Sequence, residues 1–107
     1  MNMPTPLPVE RAINKLGNDM SLARRRRHLS QASLAERMGA SLSTVRRMEQ
    51  GDVRVPIHFF ARALHVFGEV QALERLLDTP NDDIGLTLMD ENLPKRVRRR
   101  PTVTGAL

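Results

Sequence analysis

The sequence predicts an all-α domain of five helices followed by one short β-strand, and three observations carry that expectation. Val9, Ile13, Leu16, Met20 and Ala23 recur at alternating spacings of four and three, which places them on one side of a helix. Ser30 to Gly39 and Ser41 to Gly51 repeat the same punctuation, a hydroxyl residue that can cap a helix and a glycine that can end it. Pro56 and Gly68 bracket a third apolar run in the same manner.

Taken in order, residues 1–8 hold three prolines and are expected to be an irregular leader before a domain spanning 9–78. The first helix should run from Val9 to about His28, with Gly17 a candidate bend. Arg24 to Arg27 are consecutive, and a helix turns ~100° per residue, so the four cannot face one partner. Leu34, Ala35 and Met38 give the second helix an apolar side, and Val45 and Met48 do the same for the third. Only Gly39 and Ala40 separate the second helix from the next cap, Ser41. So short a connection makes the helices cross steeply, and the third then stands proud enough to enter a DNA major groove.

In the fourth helix Ile57, Phe60, Ala61 and Leu64 form one apolar side, and Phe59, Ala63, Val66 and Val70 a second. One side closes the domain; the other would lie in water on a monomer, so Phe59, Ala63 and Val66 are expected at a dimer interface. Val70, Leu73, Leu76 and Leu77 describe a fifth helix stopping near Thr79-Pro80. Residues 79–91 form an acidic linker in which Ile84, Leu86 and Leu88 alternate as a strand does. A lone strand is not stable, so the same strand of a second subunit is its expected partner across the dimer. Residues 92–107 make a basic tail, read as a DNA-backbone arm, a segment that folds on a protein partner, or a solubilising end.

Charge is sorted along the chain, whose net charge is +5. Residues 11–62 hold eleven Arg or Lys against four acids, and residues 63–94 hold seven acids against one Arg. A basic block beside an acidic one suggests a nucleic-acid face and a separate protein-facing region, with uneven solvated surface charge as the competing account. Cysteine is absent, which excludes disulfides and cysteine-held metals and agrees with a cytoplasmic setting. The only aromatic residues are three Phe, too few for a base-stacking platform. No apolar run approaches the ~20 residues of a membrane span, and the proline-rich start is unlike a signal peptide.

Leu29-Ser30-Gln31, Leu34-Ala35, Gly39, Ser41, Val45 and Glu49-x-Gly51 together resemble the phage-repressor family of helix-turn-helix proteins (Cro and XRE types), over roughly residues 20–68. The resemblance implies a lambda-repressor-like fold that binds double-stranded DNA, and the homodimer expected above then calls for an inverted-repeat operator. It further implies that Arg24 pairs with Glu49 and that Gln31 touches the sugar-phosphate chain, where the amide donors of a helix N-terminus assist. By the same match Leu42, Ser43 and Arg46 or Arg47 are the candidates for reading bases. Which Arg reads and which holds phosphate stays open, as does whether Leu42 meets a thymine methyl or packs on the neighbouring helix. Ser41 and Thr44 are candidate phosphate contacts, Ser41 equally a cap; Arg54 is a phosphate candidate or a solvated loop charge. Arg25 and Arg26 reach phosphates or solvent, and His28 stands where the family often has Gly.

Asp83 to Asp90, with Leu93 to Arg98, resemble the HipB antitoxins that accompany HipA-type kinases. The expected function is therefore a sequence-specific autorepressor that is also the antitoxin of a HipA-like kinase toxin. A stand-alone repressor is the first alternative and a basic RNA-associated protein the second. His58 and His65 lie seven apart with Glu69 four further, a spacing a metal can use, but partly buried helix residues account for them better. With no cysteine nucleophile, glycine-rich phosphate loop or Ser-His-Asp constellation, no catalysis, cofactor or metal is expected.

Overall fold

A computed structural model describes residues 3–78 and divides the chain into two units, 1–74 and 75–107. The first contains all five described helices: α1 (Leu7–Arg26), α2 (Gln31–Met38), α3 (Leu42–Glu49), α4 (Ile57–Phe67) and α5 (Val70–Glu74). In the second unit the Asp78 N–H donates to the Arg75 carbonyl at 3.2 Å. The expected strand with Ile84, Leu86 and Leu88, and the basic tail, lie outside the described residues.

Helix α1 begins earlier than the 1–8 leader allows, because Pro6 caps it and Pro8 sits in its first turn. A first-turn proline costs nothing there, since its missing N–H would have had no helical partner. The helix is ~30 Å long and continuous through Gly17. Gly17 is not a bend: a Cβ built on it would strike the Met48 carbonyl oxygen and lie 3.0 Å from the Glu49 oxygen and the Gly51 nitrogen. The glycine lets the backbone of α1 touch the C-terminal end of α3. The expected stripe is buried only in part: Met20 is in the core, Ile13, Leu16 and Ala23 are half-buried, and Val9 is exposed.

Helices α2 and α3 form as their caps dictate. Ser30 Oγ accepts the Ser33 N–H and Ser41 Oγ the Thr44 N–H, each at 3.0 Å. Gly39 ends α2 at φ 69, a left-handed conformation that other residues rarely adopt, and its N–H donates back to Glu36. The core gathers Met20, Leu34, Ala35, Met38, Val45, Met48, Val55, Phe60, Ala63 and Phe67. Leu34, Val45 and Met48 are almost wholly enclosed, each stabilising the fold by ~1.5–3 kcal/mol.

Two expectations at the C-terminal side are corrected. Ala63 is 0% exposed and belongs to the core, not to a dimer interface. The inward side of α4 is Phe60, Ala63 and Phe67, flanked by half-buried Phe59, Leu64 and Val66, while Ile57 lies on the outside. The fifth helix stops at Glu74, so Leu76 and Leu77 are not part of it, and both are exposed.

Candidate nucleic-acid interface

At the inner end of α3, one carboxylate ties three helices together. Arg24 of α1 donates through Nε to Glu49 Oε2 at 2.7 Å and through Nη2 to Oε1 at 3.0 Å. Gln31 of α2 donates through Nε2 to the same Oε1 at 2.9 Å. A third Arg24 bond, from Nη1 to the Leu29 carbonyl at 2.8 Å, fixes the loop before α2. The Arg24 and Glu49 side chains are only 12% and 8% exposed. Burial pushes the Glu49 carboxyl up, but the hydrogen bonds from Arg24 and Gln31, with the Arg24 charge, hold it below the ordinary carboxylate value.

With Glu49 turned inward, the outer side of α3 carries Ser43, Arg46, Arg47 and Gln50, all exposed, and no acid. Arg46 and Arg47 have no hydrogen-bond or ion-pair partner among the described residues, although the Arg47 charge is felt at the Asp52 carboxylate. Gln50 was not singled out by sequence reasoning because it follows the last apolar contact, Met48. Its place two residues past that contact puts it on the turn occupied by Arg46 and Arg47. Leu42 is half-buried at the start of the helix.

Several of the remaining candidates are already engaged. Thr44 is corrected as a phosphate contact: it is 6% exposed, and its hydroxyl lies 2.9 Å from Ser41 Oγ, inside the cap. Gln31 has one amide hydrogen committed to Glu49. Arg54 is neither free nor merely solvated, since Nε and Nη2 donate to Asp52 at 3.1 and 3.0 Å while its backbone N–H donates to the same carboxylate. The side-chain and backbone hydrogen bonds from Arg54 lower the Asp52 carboxyl to about 2. Arg25 and Arg26 are exposed at the end of α1, and His28 beside them holds φ 57. His58, His65 and Glu69 do not assemble a metal site; among the described residues no three His, Cys, Asp or Glu gather to hold an ion.

Two capped eight-residue helices across a turn closed by a left-handed glycine, the second with a cationic outer side, define a helix-turn-helix DNA-binding domain. A family model for the helix-turn-helix domain matches residues 15–78, more than half of the chain, so the protein belongs to that family. No curated protein and no solved structure matches it. Among the described residues no helix is long and apolar enough to cross a membrane.

Proposed function

We propose that the protein is a homodimeric, sequence-specific transcriptional repressor that reads an inverted-repeat operator with α3. The observation that carries this is the outward row Ser43, Arg46, Arg47 and Gln50, whose arginines are unpaired among the described residues because the helix's own carboxylate is turned to Arg24. An arginine donates two parallel hydrogen bonds to guanine O6 and N7, discriminating by about 1–3 kcal/mol against a wrong base. Ser41, Ser43, Leu42, Gln31 and Arg54 then serve the backbone or neighbouring bases. Gln31 acts through its second amide hydrogen, and Arg54 must share or leave Asp52. Replacing Arg46 and Arg47 singly by Ala and titrating operator variants across salt tests the reading. The base reader loses discrimination at one position, while a phosphate contact weakens every sequence alike and lowers the salt slope by about one unit. Neither variant changing operator affinity would remove α3 from the interface.

Dimerisation is proposed through half-buried Phe59 and Val66 with Val70 and Leu73, and through the alternating Ile84, Leu86 and Leu88, which as a lone strand would need a second edge. The narrower reading, an antitoxin of a HipA-like kinase, rests on the resemblance of residues 83–98. Calorimetry with the kinase tests it: deletion of residues 92–107 should weaken kinase binding more than operator binding.

A further inference from the structure

Between the end of α2 and the side of α4 lies a cleft of about 490 Å³, lined by Arg37 and Met38 of α2 and by His58, Ala61, Arg62 and His65 of α4. The α4 residues follow at intervals of three, one and three, so they make one stripe along the helix. Four of the six lining groups are cationic or protonatable and none is acidic; Glu36 and Glu69, the nearest acids in the sequence, do not line it.

The central cation is held in place. Arg62 Nη1 donates to the Met38 and Gly39 carbonyls, each at 3.2 Å, and its guanidinium lies 5.8 Å from the Phe59 ring centre. Those bonds satisfy the carbonyls at the end of α2, yet they leave Arg62 Nε and Nη2 without an acceptor among the described residues. His58 is also set, its ring 4.1 Å from that of Phe59. An ordered guanidinium with free donors, flanked by Arg37 and two imidazoles over an apolar floor of Met38 and Ala61, matches spaced carboxylates on a peptide.

We propose that this cleft docks a carboxylate-rich segment of a partner protein, at the same time as α3 holds its operator. Protein is favoured over nucleic acid because no residue of α3, the helix proposed to read DNA, lines the cleft.

The test is fluorescence anisotropy of a labelled Glu-Ser repeat peptide on the full-length protein at about 50 mM salt, with a Gln-Ser repeat as control. Arg37→Ser and His65→Ser are the variants, since both residues are exposed and neither side chain makes a hydrogen bond or ion pair among the described residues. The Glu peptide should bind and the Gln peptide should not. Each variant should weaken binding by up to about fivefold, with operator affinity unchanged, and operator-bound protein should take the peptide equally well. Binding that ignores both variants overturns the proposal. So does displacement of the peptide by operator DNA, which would make α3 the polyanion site. A peptide of residues 78–91 that binds more tightly than the repeat would make an acidic segment of this chain the occupant, and would equally overturn a separate partner.

Discussion

Helices α2 and α3 are built alike and used differently. Each has eight residues, opens with a serine whose hydroxyl accepts the N–H three residues on, and is followed by a glycine of positive φ, Gly39 or Gly51. Helix α2 carries one acid, Glu36, and one base, Arg37, and so has no net side-chain charge. On α3 the single acid, Glu49, is withdrawn to Arg24, so Arg46 and Arg47 are left uncompensated. The pair that holds the fold together is thus also what makes one of two similar helices cationic.

The hardest way to break that contrast is Glu49→Ala, which leaves the Arg24 guanidinium, 12% exposed, without its carboxylate. The expected loss is about 3–5 kcal/mol by chemical denaturation, a large share of a small domain's stability. Because the folded Glu49 carboxyl titrates below its ordinary value, its contribution is complete above the unfolded value of about 4.3. It disappears as pH falls through the lower, folded one. Wild type should therefore lose more stability on acidification than Glu49→Gln, and equal pH profiles would refute the assignment.

The likeness of the two helices is sharpened by Ser30→Ala and Ser41→Ala, each expected to cost ~1 kcal/mol. Ser41 should cost the more, since its loss also strands the buried Thr44 hydroxyl. If Ser41→Ala leaves stability intact while reducing operator affinity, its hydroxyl is a phosphate contact after all. The smallest effect is expected at the turn before α2, where His28 holds φ 57. His28→Gly should raise the melting temperature slightly, by ~0.5–1 kcal/mol of stability, because glycine adopts that conformation without a Cβ clash.

Where a residue's role depended on its nearest neighbours in the chain, the sequence was easy to read. Ser30, Gly39 and Ser41 act within three or four residues, and their turns lie where the punctuation puts them. Residues answering to distant parts were harder. Helix α4 is apolar on several sides, so periodicity alone splits its residues into two equal stripes, and only packing against the rest of the core selects Phe60, Ala63 and Phe67. Thr44 carries a hydroxyl suited to phosphate, and its use inside the cap follows from its place four residues before buried Met48. Arg54 looked like a spare cation because its partner, two residues earlier, was read as plain loop. Gly17 reads as a break in α1 because the backbone that needs it, from Met48 onward, lies more than thirty residues further along the chain.

That backbone approach at Gly17 has a consequence for how binding preference can change. Helix α3, proposed above to read the operator, meets α1 main chain against main chain at the Met48 and Glu49 carbonyls, and not through the side chains that face outward. Positions 43, 46, 47 and 50 are therefore free to be rewritten without re-aiming the helix that carries them, whereas any side chain at position 17 would push the backbones of α1 and α3 apart. On the proposed reading, selection or design can exchange the alphabet and keep the press, with new target sequences a few outward substitutions away from this scaffold.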